Sequence, residues 1–230
     1  MSIRICVFDA YGTLFDVAAA AREAAGRPGS GNLSAVWRKL ASDWRTKQLE
    51  YTWLRTVADA HTDFWTVTEN ALDWAMEASE LADPELRERL LALYFELSAY
   101  PEVPDTLAKL RSAGFTTAIL SNGEPNMLRG AVESAGVADL LNGILSAEDA
   151  GVFKPHRKVY ELVGQRFGTQ PHEVLFVSSN GWDAAHAAGF GFRSVWVNRA
   201  NAPMDRLPWE PKQVVRDLSA IPDIAVRTDA

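Results

Sequence analysis

The chain has 230 residues, 47% of them apolar and 23% charged, with a formal net charge of −7. That composition suits a normally packed globular domain, or a core domain carrying a smaller inserted lobe. The negative balance argues against a general nucleic-acid surface, which needs a basic footprint, and requires that an anionic ligand be met by specific cations.

No run approaches the roughly 20 apolar residues of a membrane span. Arg4 and Asp9 interrupt any signal-peptide core, so the chain is expected to be cytoplasmic. The single cysteine, Cys6, excludes an internal disulfide; within an apolar strand-like run it reads as an inert buried thiol. No metal-type Cys/His spacing occurs.

The first predicted element is "IRICVF" (3–8), nearly continuously apolar as in a strand buried on both faces of a parallel sheet. From about 17 to 100 no good strand follows. Amphipathic runs such as Leu49, Trp53 and Val57 at helical spacing predict an α-helical lobe there. Five of the eight tryptophans (Trp37, Trp44, Trp53, Trp65 and Trp74) fall in this stretch and are expected to pack the lobe's core. "AGRPGSGN" (25–32) is expected as a loop at the lobe's entrance, and "AYPEVPD" (99–105) as the return to the core.

Thereafter strands and helices alternate. "TTAILS" (116–121), "VLFVSS" (174–179) and "SVWVN" (194–198) read as strands. The runs 103–114, 125–136 and 156–168 read as helices stopped by Gly114, Gly136 and Gly168. The expected fold is α/β, a doubly wound parallel sheet built from residues 1–16 and 101–230, with an α-helical cap lobe over 17–100.

Ligands of such sheets gather at the carboxyl ends of the strands. The first strand delivers Asp9, Tyr11, Gly12 and Thr13, and the second Ser121-Asn122-Gly123. After "ILSAEDAGVF" comes Lys154, with Tyr160 beyond it. "VLFVSS" leads to Ser178, Ser179, Asn180 and Asp183. Singly these read as turn residues, helix caps or a surface lysine. Jointly, in order and at strand ends, they place two carboxylates, a lysine and hydroxyls at one sheet edge.

The series Asp9…Thr13, Ser121, Lys154, Asp183 resembles the haloacid dehalogenase superfamily over nearly the whole chain. "FDAYGTLFD", "WRTKQLEYTWL" (44–54), "ILSNG" (119–123), "FKP" with "VYEL" (153–155 and 159–162) and "FVSSNGWDA" (176–184) resemble the L-2-haloacid dehalogenases specifically. Of the two Trp-Arg pairs, only the second precedes "TKQLEYTWL", so the resemblance gives Arg45 the family's arginine role and leaves Arg38 to solvent.

The resemblance implies attack by Asp9 on C2 of an L-2-halo acid, an ester intermediate, and hydrolysis to the D-2-hydroxy acid, with no cofactor and no metal. Lys154 would keep Asp9 ionised. Asp183 would pair with Lys154 and orient or activate the water, with Ser178 and Asn180 as hydrogen-bonding neighbours and Tyr160 supporting Lys154 or Asp183, while Thr13 would hold Asp9 or a developing oxyanion. Ser121 would bind the substrate carboxylate, Arg45 and Asn122 the departing halide, and Tyr11, Leu49, Phe64 and Trp182 would form an apolar wall. His186, one helical turn after Asp183, is a further candidate base, paired with Glu23. A homodimer is implied as well.

The superfamily's phosphatases carry a second aspartate two residues after the first, which protonates the leaving alkoxide and helps hold Mg²⁺. Here that position is Tyr11. Halide leaves without protonation, so substitution at carbon can dispense with this acid. The alternative, a phosphatase or phosphonatase on the same fold, would lack it.

Overall fold

In a computed structural model describing residues 2–27 and 31–227, six parallel strands form one sheet in the order β3-β2-β1-β4-β5-β6. They are β1 (Ile5–Phe8), β2 (Thr116–Ser121), β3 (Gly143–Ser146), β4 (Val174–Ser178), β5 (Arg193–Val197) and β6 (Gln213–Val215). β1 is central. Its Phe8 lies opposite Ile119 of β2 on one side and Val177 of β4 on the other. Flanked on both edges and covered on both faces, every residue of β1 is buried, which is why its sequence is a continuous apolar run. Burial also pushes the Cys6 thiol up to about 12, consistent with an inert side chain.

Helices α5 (Val103–Ser112), α6 (Pro125–Ser134), α7 (Arg157–Phe167), α8 (Gly181–Phe190) and α9 (Ile221–Val226) connect and cover the strands. The apolar residues of α7, Val159, Tyr160 and Val163, are buried, and Gly168 ends it in the left-handed conformation at φ 63°. Four further helices fall between β1 and α5: α1 (Ala19–Gly26), α2 (Leu33–Val57), α3 (Phe64–Glu77) and α4 (Pro84–Phe95). The chain leaves and rejoins the sheet layer side by side: Asp16 N–H donates to Ser98 O and Tyr100 N–H to Leu14 O, each at 2.9 Å, and Phe15 pairs with Ala99 as an antiparallel bridge.

Several expectations need correction. Strands β3 and β6 carry too little apolar pattern to announce themselves: β3 starts on a glycine, and β6 is a three-residue, mostly exposed edge. Residues 25 and 26 of the expected entrance loop belong to α1, and 28–30 lie outside the described residues. Leu49, Trp53 and Val57 do mark a helix but not its buried stripe, which is Leu33, Leu40, Trp44, Gln48 and Thr52. Of the five tryptophans only Trp44 is buried, with its indole N–H donating to Thr68 O at 2.9 Å. Trp37 and Trp65 are half-buried, and Trp53 and Trp74 are exposed.

Gly123, just after β2, has no room for a side chain between the turn after β1 and α6. A Cβ there would lie 2.6 Å from Tyr11 Cε2 and 2.9 Å from Leu128 Cδ2. Gly123→Ala is expected to lower stability by about 1–3 kcal/mol through this overlap, read as a shift in the urea midpoint at constant slope.

Candidate active site

The turn after β1 builds the site. Asp9 N–H still donates to Val177 O at 2.9 Å, so the carboxylate leaves the sheet at a fixed height. The Ala10 carbonyl then accepts from the N–H groups of Thr13, Leu14 and Phe15. Gly12 makes the turn possible at φ 88°, a conformation costly for residues bearing a Cβ. The result folds Thr13 back onto Asp9.

The Asp9 carboxylate is nearly buried and accepts from three donors. Oδ1 accepts from Lys154 Nζ at 3.1 Å; Oδ2 accepts from Thr13 Oγ1 at 3.1 Å and from Asn180 Nδ2 at 3.0 Å. Lys154, 1% exposed, spends its three N–H groups on Asp9, on Asp183 Oδ2 at 2.9 Å and on Leu120 O at 2.7 Å. Burial alone would push the Lys154 ammonium down, but the charges of Asp183 and Asp9 outweigh it and hold it above the usual lysine range. The other Asp183 oxygen accepts from Tyr160 Oη at 2.7 Å. Burial, with the negative charge of Asp9, raises the Asp183 carboxyl against the opposing pull of Lys154. Burial also lifts the Tyr160 phenol well above its ordinary value, so it stays a donor.

A small enclosed chamber opens on Asp9. It is lined by Tyr11, Arg45, Leu49, Phe64, Ser121, Asn122, Lys154, Asn180 and Trp182 and holds ≈10 Å³ of water-accessible space, about one water molecule. Asp9 is the one acidic residue in this lining. Arg45 reaches in from α2, its guanidinium held by neutral oxygens: Gln48 Oε1 at 2.8 Å, Tyr11 O at 3.2 Å and Asn180 Oδ1 at 3.5 Å. No carboxylate pairs with it among the described residues. Ser121 Oγ accepts from Gly123 N–H at 3.1 Å, leaving its own hydrogen to donate, and Asn122 Oδ1 accepts from Lys154 N–H at 2.8 Å. Tyr11 stacks between Phe64 and Tyr94, with ring centroids 5.9 and 5.5 Å away, and burial holds its phenol far above the usual range.

Ten of the fourteen expected site residues therefore meet at this chamber, while Thr13, Tyr160, Ser178 and Asp183 stand behind it. Ser178 Oγ accepts from Asn180 N–H at 3.1 Å and sets the turn that aims Asn180. His186 and Glu23 are not part of the site. His186 Nδ1 donates to Trp182 O at 2.7 Å within its own helix and lies edge-on to Trp209, while Glu23 pairs with Arg27 at 2.7 Å. Arg38 is exposed and covers the Trp37 ring.

Several supporting residues carried no assigned role in the sequence. Ser179 N–H donates to Thr13 Oγ1 at 2.7 Å, and its own hydroxyl lies 3.1 Å from Thr13 Oγ1. Arg199 donates to Thr13 O at 3.0 Å, pairs with Glu102 at 2.7 Å and stacks on Tyr100. Gln48, buried beneath Arg45, passes the guanidinium's hold on to Thr68 and Tyr94. Glu148 joins the helical layer to the sheet, accepting from Phe64 N–H at 2.7 Å and pairing with His61 at 3.2 Å. Only Ser179, beside a strand end, carried a sequence signal.

A doubly wound sheet with an aspartate at the tip of β1 and a buried lysine facing it defines a class of hydrolase. A family model described as haloacid dehalogenase-like hydrolase matches residues 3–191. The chain is 42% identical over 226 residues to (S)-2-haloacid dehalogenase 1 of Pseudomonas sp. (strain CBS-3), covering 98% of this chain and 97% of that protein. It is 44% identical over 203 residues to (S)-2-haloacid dehalogenase 4A of Burkholderia cepacia, covering 88% and 86%. A solved L-2-haloacid dehalogenase from Xanthobacter autotrophicus, with chloropropionic acid covalently bound, superposes with a TM-score of 0.85 at 36% identity over 96% of this chain and 98% of that one. The chain belongs to the haloacid dehalogenase-like hydrolases, among the (S)-2-haloacid dehalogenases.

Lys154→Met would leave two carboxylates facing each other in a buried site. Loss of about 3–5 kcal/mol of stability is expected, because each ion keeps its desolvation cost without its partner. The folded-state pKa of Lys154 is raised, so its contribution is full below the unfolded value of about 10.5 and fades as pH climbs through the higher folded value. Urea midpoints of the wild type and the variant should stay apart from neutral pH to about pH 10 and converge only above it.

Proposed function

We propose that the protein hydrolyses short L-2-haloalkanoic acids to D-2-hydroxy acids, with Asp9 as the nucleophile. The observation that carries this is a tethered carboxylate facing a nearly closed, largely apolar chamber whose remaining cation has no acidic partner. Asp9 attacks C2 from the side opposite the halogen, the carbon–halogen bond breaks with its electron pair leaving on the halide, and C2 inverts. Lys154, Thr13 and Asn180 fix the carboxylate's rotation, while Tyr11, Leu49, Phe64 and Trp182 keep bulk water from it.

The free hydrogen of Ser121 Oγ donates to the substrate carboxylate. Arg45, with Asn122 beside it, receives the halide. The Lys154 charge is already balanced by two aspartates, so Arg45 is the cation left to offset incoming negative charge. Water then attacks the ester at Asp9 Cγ. The oxygen that becomes negative is stabilised by the donors already gathered on the carboxylate. On its collapse the bond from Cγ to the C2 oxygen breaks, that oxygen takes one proton of the attacking water, and the other proton passes to solvent. The hydroxy acid leaves with Asp9 restored as a carboxylate. Asp183 and Tyr160 act as positioning residues, because both Asp183 oxygens are occupied in holding Lys154 and Tyr160.

A phosphatase on this scaffold would find no second carboxylic acid in the chamber to protonate its leaving group. The two aspartates that could approach a metal are both taken up by Lys154. A cytoplasmic homodimer completes the reading, supported by the lone buried cysteine and by exposed Leu54 and Trp74 on the helical layer, apolar surface that a second copy would cover. No helix among the described residues is long and apolar enough to cross a membrane.

A single turnover of L-2-chloropropionate with excess enzyme in ¹⁸O-water distinguishes the mechanisms. The lactate formed should be unlabelled, its hydroxyl oxygen coming from Asp9, and Asp9→Asn should release no halide. Labelled lactate from the first turnover would mean direct attack by water.

A further inference from the structure

A chamber with ≈10 Å³ of free space cannot take even a three-carbon acid without moving a side chain. Tyr11 and Phe64 are poorly placed to move, being buried and packed in a run of aromatic rings. Trp182 is different. It is half-buried, at the start of α8, and its ring also lines a second cavity of ≈460 Å³ on the far side. Trp53 of α2 meets it edge to face at 5.4 Å between centroids and is itself 37% exposed. Trp182 thus borders both the reaction chamber and the outer cavity, with Trp53 against it on the outer side.

The outer cavity is apolar in character. Trp53, Val57, Pro155 and Trp182 supply most of its surface, and no acidic residue lines it. Its polar groups are turned to the backbone: Thr56 Oγ1 accepts from Phe153 N–H at 3.2 Å, His156 Nδ1 from Lys158 N–H at 3.3 Å, and His186 Nδ1 donates to Trp182 O. Around C2 of a bound haloacid, one substituent is taken by Ser121 and another by Arg45. The third, the alkyl group, is left to the apolar wall that ends in Trp182.

We infer that the cavity behind Trp182 is a subsite for the apolar 2-alkyl tail of longer L-2-haloacids, with the Trp53–Trp182 pair as the movable partition between tail and reacting carbon. This rests on the dehalogenase reading above. The occupant is a hydrocarbon chain continuous with the substrate, because the cavity's surface is mostly apolar, no Asp, Glu, Lys or Arg lines it, and it shares Trp182 with the chamber. Each methylene that leaves water for such a surface should raise kcat/KM about fourfold.

The test is halide release from L-2-bromopropionate, L-2-bromohexanoate and L-2-bromooctanoate by the wild type, Val57→Asp and Trp53→Ala. Val57 is 87% exposed, so its replacement leaves the fold intact. In the wild type kcat/KM should climb with chain length. In Val57→Asp the ratio of octanoate to propionate substrate should fall at least tenfold, through KM; Trp53→Ala should flatten the series. Quenching of tryptophan fluorescence by octanoate, stronger than by propionate and lost in Val57→Asp, would support the subsite without turnover. A wild-type series that falls with length, or a ratio unchanged in both variants, overturns it. So does a dimer that dissociates in Val57→Asp with the ratio unchanged, since a second copy would then be covering the cavity. Failure to release halide even from bromopropionate would instead sink the dehalogenase reading, and this one with it.

Discussion

Everything in the site hangs on one buried ammonium group. Lys154 Nζ sits among Asp9, Asp183 and the Leu120 carbonyl with no hydrogen left over. Taking three charged groups out of water costs several kcal/mol per ion, and such clusters are seldom kept for stability alone. Here the cost holds the Asp9 carboxylate away from bulk water and fixed in rotation. A freely hydrated carboxylate is a weak nucleophile toward carbon; a dry one without a cation would take up a proton. Lys154 sets a cation directly against Asp9 where bulk water is kept away. Asp183 and Tyr160 serve that end by holding the ammonium from behind.

A net charge of −7 works against an anionic substrate, and the site answers locally. Because the lysine is neutralised by its aspartates, attraction falls to Arg45, whose oxygen partners orient the guanidinium without cancelling its charge. Arg45 comes from α2 while Asp9 comes from β1, so the electrostatics of the chamber are completed only where helical layer and sheet meet. Glu148 reinforces that junction, tying the first residue of α3 to the turn after β3.

The sheet's inner strands were legible because burial on both faces forces a continuous apolar run, as in β1 and β4, whereas β3 and β6 were too short or too exposed to leave one. Residues at strand ends were legible for a related reason: topology brings the ends of β1, β2 and β4 to one edge whatever the loops do. Asp9, Ser121 and Asn180 could thus be placed from order alone. Arg199 and Gln48 could not, since each acts through contacts more than a hundred or a few tens of residues away that no local pattern encodes. Helical spacing located α2 but did not mark its buried face. Leu49, Trp53 and Val57 look toward the cleft and solvent, an apolar stripe kept for contact outside the core. His186 shows the opposite error: spacing brought it near Asp183 in sequence, but its helix turns the ring to Trp209.

The pairing of Phe15 with Ala99 brings the two chain crossings between the sheet and helices α1–α4 into contact. A segment whose ends already touch can be exchanged for another of different length without disturbing strand register, because the chain need only be rejoined across a gap that hardly exists. Asp9, Lys154 and Asp183 all belong to the half that would stay behind. Changes in α1–α4, among residues such as Arg45, Leu49 and Trp53, can therefore reshape the chamber's wall while the buried charge cluster keeps its place.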